Sequence, residues 1–306
     1  LTRPEDWLPL VAGVDFVVNC AGALSQNPRD DLELVHLTAI SALVLACEKA
    51  GAGLIQISAL GAHERHPLPF LRTKAEGDAL IRESRLLWWI YRPGLVMAPT
   101  AYGGTTLIRV LAGVPMVQPI ALPEARVQTI SIKDVAVAVL RAVEGKVPPG
   151  TIADLVEDEA HRLVDIVGAA RRWLGFPPAG RTLVLPDWAL RAVGRVADLF
   201  STLGWRSPLR SAAIESMARG VLGDARQTHR VLGRAPFSLE EICYRMPARV
   251  EDRMFSRMQL LGPLMIFALG VQWILSGAIG LLQFPEALTM VEATGLPRSI
   301  GIGLVY

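Results

Sequence analysis

Two hydrophobic patterns alternate along the first half of the chain. Short apolar runs at residues 14–20 (VDFVVNC), 54–58 (LIQIS) and 86–92 (LLWWIYR) each end in a loop signal, such as Ala21-Gly22 or Pro93-Gly94. Continuous apolar runs of that length predict strands covered on both faces. Between them, residues 31–50 place Leu34, Leu37, Ile40, Leu43, Val44 and Cys47 near helical spacing, with Gly51 as a stop. Residues 71–84 predict a second helix entered after Pro67 and Pro69, residues 134–143 a third, and residues 151–156 a last strand. Strands alternating with helices at this spacing predict βαβ units, hence an α/β fold with a doubly wound parallel sheet.

From about residue 160 to 246 the pattern turns mainly helical. Trp188, Val193, Val196, Phe200 and Leu203 fall on roughly one helix face. Such a face either packs on its own domain or lies against lipid, and packing is the commoner outcome. Residues 260–282 then run for 23 residues without a charge, enough for a helix to cross a bilayer core. The predicted division is therefore 1–158 for the sheet domain, 159–248 for a mainly helical part, and 258–306 for a membrane segment. The last of these holds a transmembrane helix at 260–282 and the start of a second span.

Composition agrees. The mean hydropathy of +0.36 is high for a chain wholly in water. Arg245, Arg249, Arg253 and Arg257 precede the uncharged run, and Arg298 is the basic residue after it. By the positive-inside rule the large domain lies in the cytoplasm and the anchor in the inner membrane. A net charge of +2, with no long basic block, argues against nucleic acid as a partner. Cys20, Cys47 and Cys243 form no CxxC pair, and their apolar neighbours suggest buried small residues in a reducing compartment. The chain opens at Leu1 in polar sequence without a signal-peptide pattern and closes in an apolar run, so a cut at both ends is expected.

Six segments, in this order and spacing, carry a family resemblance: VDFVVNCAG (14–22), LIQISALGA (54–62), FLRTKAEGDALI (70–81), WWIYRPGLVMAP (88–99), VQTISIKDVAVAVL (127–140) and FSLEEI (237–242). Over residues 1–247 the chain resembles the atypical branch of the short-chain dehydrogenase/reductase superfamily. That branch includes the dehydrogenase-like accessory subunit of respiratory complex I. The resemblance implies a Rossmann-like domain that binds NAD or NADP. The family's glycine-rich turn after its first strand is not present in this sequence; in that alignment Leu1 falls just after the third strand, so the first strands are expected upstream.

The resemblance also assigns roles. Ser58 matches the serine that polarises a substrate carbonyl; the bland alternative is a turn-capping serine. Lys74 matches the lysine that grips the nicotinamide ribose, and Phe70, four residues earlier, stands where the family has its proton-transferring tyrosine. A phenyl ring has no proton to give. Cys20, Ala21 and Gly22 match the contact near the adenosine ribose and pyrophosphate edge, and Pro93 and Gly94 the contact with the nicotinamide ring. Tyr102 could reach the same cleft, although a loop tyrosine is usually structural. His63 and His66 lack the partners of a metal site, so no metal is expected. His36 faces either the cleft or a satisfied core position, and Arg171 with Arg172 reads as a solvated helix end. The segment from residue 258 resembles the start of a DoxX-like membrane domain.

These expectations converge on an NAD(P)-binding oxidoreductase or epimerase-like enzyme at the cytoplasmic membrane face, acting on a small or lipid-soluble substrate. The alternative is a catalytically silent dinucleotide binder that serves as an accessory or redox-sensing protein.

Overall fold

The structure, a computed structural model, describes residues 1–24, 26, 31–201, 211–283, 289–290 and 293–294. Leu1–Arg253 forms one compact unit and Met254–Tyr306 a second.

In the first unit, helix α1 (Pro4–Val11) precedes strand β1 (Phe16–Asn19). A π-helical turn, Leu34–Thr38, leads into α2 (Ala39–Ala50). Then come β2 (Gly53–Ile57), α3 (Pro69–Arg82), β3 (Trp88–Pro93) and β4 (Leu95–Met97). α4 (Gly104–Gly113), β5 (Val117–Ile120), β6 (Arg126–Val127), β7 (Thr129–Ser131) and α5 (Ile132–Val143) follow. β8 (Thr151–Leu155) joins the sheet whose order is β1-β2-β3-β8, parallel throughout. The alternation read from sequence is thus present, with each boundary moved by a few residues.

The pleat explains the double winding. Leu54 and Ile90 point to one face, where Ile40, Leu43, Val44 and Cys47 of α2 cover them. Ile55, Trp89 and Tyr91 point to the other, against Val135, Ala138 and Ala142 of α5. The polar tips of the two large rings are satisfied: Trp89 Nε1 donates to Val147 O at 3.0 Å and the Tyr91 hydroxyl to Ala138 O at 3.2 Å.

β9 (His161–Arg162), α6 (Leu163–Trp173), β10 (Arg181–Val184), α7 (Asp187–Ser201), α8 (Ser211–Ala218), α9 (Ala225–Leu232) and α10 (Leu239–Arg245) complete this unit. The region expected to be mainly helical therefore also supplies strands: β10 pairs with β5, and β9 with β6. β7 pairs with β4 in a two-stranded sheet outside the main one. A separate small core joins Met97, Ile108 and Ile120 to Ile166, Val167, Leu174 and Ile242.

Three sequence readings change here. Arg171 is not a solvated helix end; it is 4% exposed, and its guanidinium donates to the carbonyls of Ala112, Val114 and Pro177. Cys20 is exposed, Cys243 is half-buried and Cys47 alone is fully buried, its thiol pushed up to about 11 by that burial. The face of α7 is also turned. Leu190, Gly194 and Ala197 lie inward, with Gly194 close to Ser211 and Ile214 of α8, while Trp188, Val193 and Val196 are exposed. Small residues allow the close helix contact, so the bulky side is left outside. The Phe200 side chain and all of Leu203 lie outside the described residues.

α11 (Val250–Leu282) is long and apolar enough to cross a membrane by length and composition; its apolar stretch has a mean hydropathy of 1.7 and none of it is buried. The expected start of a second span falls largely outside the described residues.

Candidate functional site

Parallel strands place their C-terminal ends along one sheet edge, the edge where open α/β sheets bind ligands. β1 ends at Asn19, β2 at Ile57 and β3 at Pro93. So Cys20–Gly22, Ser58 and Pro93–Gly94 all emerge on that edge.

Lys74 reaches the same place from α3. Its side chain is buried, and Nζ donates to Ile57 O at 3.1 Å, one residue before Ser58. Burial lowers its pKa, while Asp78 works in the opposite direction. Gly22 sits directly over it: a Cβ built at Gly22 would lie 3.1 Å from Lys74 Nζ and 3.7 Å from His36 Nε2. The loop is held by Asn19, whose Oδ1 accepts from Ala21 N–H and whose Nδ2 donates to Gln56 Oε1 at 2.7 Å.

His36 lies in the π-helical turn and is buried. Its Nε2 is 3.1 Å from Ala23 N, and accepts that proton, while Nδ1 lies 2.8 Å from Thr73 Oγ1. An imidazole that accepts at Nε2 carries its proton at Nδ1. Burial, helped by the Lys74 charge, holds its pKa down at about 4. His36 is therefore a satisfied buried position that joins the loop at Ala23 to Thr73 of α3. An unfolded chain takes up this proton near pH 6.5, and the fold resists it until about 4. Stability is accordingly level above pH 6.5 and falls as pH drops toward 4. Asp78, whose carboxyl burial raises, has the opposite sign just above its ordinary value. The informative quantity is thus the difference between wild type and His36→Gln in denaturant titrations at pH 7.5 and 5. The variant should lose less stability on acidification; equal losses would remove His36 from this role.

Ser58 is buried and points inward. Its Oγ donates to Asp78 Oδ2 at 2.8 Å, and Arg92 Nη2 donates to the same oxygen at 3.0 Å. Asp78 Oδ1 and Arg92 Nε, both buried, have no hydrogen-bond partner. Burial raises the Asp78 carboxyl, against the pull of Ser58, Arg92 and Lys74. The sequence reading missed this cluster, although Asp78 stands four residues after Lys74 and so shares its helix face.

Gly94 has a packing reason to be glycine. A Cβ there would fall 2.5 Å from Gln128 O, and its N–H donates to Leu155 O. Phe70 lies in the first turn of α3 and is half-buried. The structure does not bring Tyr102 into the site: the residue is 86% exposed. His63 and His66 close turns, their Nδ1 atoms accepting from Arg65 and Leu68 N–H. Among the described residues no metal-binding cluster occurs.

The site fits a dinucleotide on two observations. Gly22 leaves open the space that a Cβ would fill against Lys74. Lys74 spends one of its three N–H donors on Ile57 O, which leaves donors for hydroxyls placed beside Gly22.

Comparisons with known proteins agree. Residues 1–146 match the NAD(P)H-binding family model and are an NAD(P)-binding domain. The fold is similar to that of a nucleoside-diphosphate-sugar epimerase from Staphylococcus aureus, at 15% identity over 79% of this chain and 80% of that one, with a TM-score of 0.59. It is also similar to an NADPH-dependent quinone oxidoreductase from Escherichia coli solved with NADPH, at 15% identity over 80% and 81%, TM-score 0.58. A third is UDP-glucuronic acid 4-epimerase from Bacillus cereus, solved with NAD and UDP-glucuronic acid, at 16% identity over 83% and 79%, TM-score 0.58. Curated proteins give no match.

Proposed function

We propose that this NAD(P)-binding domain works as an oxidoreductase or epimerase-like protein of the short-chain dehydrogenase type, held at the cytoplasmic face of a membrane by α11. Its substrate is small or lipid-soluble. The observation that carries the reading is the meeting of Lys74, Gly22 and Ser58 at the C-terminal sheet edge. Residues 1–158 are read as the dinucleotide-binding part, 159–248 as the substrate side, and 258–306 as the start of a DoxX-like membrane segment.

A nicotinamide dinucleotide supplies hydride chemistry when bound. The chain's own residues hold and orient it. Lys74 offers its remaining donors to the ribose, the backbone at Cys20–Gly22 approaches closely because Gly22 has no side chain, and Pro93 with Gly94 lines the nicotinamide end. Neutral His36 braces both the loop, through Ala23, and α3, through Thr73.

A second reading, a catalytically silent dinucleotide binder or redox sensor, is favoured by two observations. Phe70 cannot transfer a proton, and the one proton of Ser58 is given to Asp78. Turnover of small carbonyl compounds and quinones with NADH or NADPH separates the readings.

Binding itself is tested first by calorimetry. NADH or NADPH should bind, and Lys74→Ala should weaken the tighter of them by about tenfold or more, since hydrogen bonds to charged groups contribute roughly 1.5–3 kcal/mol. Undiminished affinity in a folded Lys74→Ala variant would overturn the placement of the ribose.

A further inference from the structure

We infer that α7 is a membrane-surface helix, laying Trp188, Ala192, Val196 and Leu199 into the acyl boundary of an anionic bilayer while Arg191 and Arg195 contact its headgroups. This rests on the reading that α11 anchors the chain in a membrane.

The first observation is exposure. Trp188 is 70% exposed, Val196 51% and Leu199 66%, along a helix whose opposite side is closed by Leu190, Gly194 and Ala197. A helix that turns Leu190, Gly194 and Ala197 inward leaves Trp188 and Val196 on its outward side, an apolar surface that favours burial. The second observation is order around the helix. At about 100° per residue, Trp188, Ala192, Val196 and Leu199 fall within an arc of about 80°. Arg191 and Arg195 border that arc, and the acidic Asp187 and Asp198 lie further round, toward the buried side. Long cationic side chains beside an apolar arc can reach up to phosphates while their stems stay in the apolar layer, and a tryptophan suits the interface between the two. Such a helix lies in the plane of the bilayer, its apolar face sunk by roughly 5–10 Å. The third observation is supply. The same chain carries the uncharged run at 260–282, which on the anchor reading tethers a bilayer to this domain by its own sequence. A second copy of the chain could cover an apolar stripe, but it would gain nothing from the bordering arginines facing their own equivalents.

The test uses the whole chain in vesicles of phosphatidylcholine and phosphatidylglycerol, with exposed Cys20 replaced by serine. Nitroxide labels are placed singly through Ala192→Cys, Leu269→Cys and Glu215→Cys, the last as an aqueous control on α8. Collision with oxygen against a water-soluble nickel chelate reports depth. Labels at 192 and 269 should both favour oxygen, with 192 the shallower, and 215 should favour nickel. Arg191→Glu with Arg195→Glu should move label 192 toward water, more so as phosphatidylglycerol increases. Label 192 in water with 269 in lipid overturns the inference and leaves the anchor standing. Label 269 in water overturns the anchor. Label 192 shielded from both reagents, with spin–spin broadening, overturns the inference in favour of pairing between copies.

Discussion

Gly77→Val is expected to destabilise the first unit by about 3 kcal/mol and to abolish dinucleotide binding with it. A Cβ at position 77 would lie 2.3 Å from His36 O, far inside contact distance, and the obstacle is backbone rather than the tip of a flexible side chain. Forced volume in a close-packed contact typically costs about 1–3 kcal/mol and occasionally more. For a unit of this size that corresponds to a fall in melting temperature of roughly 6–12 °C. The contact joins α3 to the π-helical turn Leu34–Thr38, whose widened backbone carries the His36 carbonyl toward α3. Those two elements hold the site: His36 on one, and Thr73, Lys74 and Asp78 on the other. Pushing them apart strains the contact between His36 and Thr73, and moves Lys74 away from Gly22. Gly77→Ala should show the same effect in smaller measure. Thermal unfolding followed by circular dichroism, with NADPH calorimetry on the same samples, measures both consequences. A valine variant that melts with wild type and binds normally would mean that the two helices do not approach this closely.

The main sheet was legible because its signal is long-range and redundant. Each strand is a continuous apolar run, each helix has its own period, and the βαβ order leaves few topologies. The small sheets were not legible. β6 and β9 are two residues long, too short for any alternation to register. Arg171 was misread because its partners are backbone carbonyls, which no residue type announces. For the bulky face of α7 the sequence left packing and lipid contact open, with packing the commoner outcome, and Trp188, Val193 and Val196 lie outward. Hydrophobic periodicity shows that a face exists and does not say which side has a neighbour; in α7 the small residues took the neighbour. At the candidate site, Ser58, Lys74 and Gly22 were placed by resemblance. The cluster that ties Ser58 down was visible only as an acid four residues after Lys74, and its arginine partner comes from another strand.

That cluster bears directly on what Phe70→Tyr should do. The hypothesis is that Phe70 occupies the place of a proton-transferring tyrosine, one helical turn before Lys74 in α3. The new hydroxyl would stand near a lysine whose positive charge favours the phenolate and so lowers the tyrosine pKa. A correctly placed general acid is worth about a hundredfold or more in rate. Reduction of a generic small carbonyl by NADPH should therefore appear or rise by about that factor, and Lys74→Ala in the same background should remove the gain. The stability cost is modest. A fully buried hydroxyl without a partner costs about 1–3 kcal/mol, but this ring is half-buried, so water can reach its edge. Ser58 supplies the sharper control. Its proton is held by Asp78, so it meets a substrate oxygen as a donor only if that bond opens. Adding Ser58→Ala to Phe70→Tyr should abolish the gain if Ser58 turns outward to polarise the carbonyl, and should leave it intact if Ser58 only braces Asp78 and Arg92. A folded Phe70→Tyr protein that binds cofactor and shows no change in rate would favour the silent-binder reading. A protein that unfolds would place Phe70 in the core of the first unit, and the tyrosine's role could not then be carried to this helix.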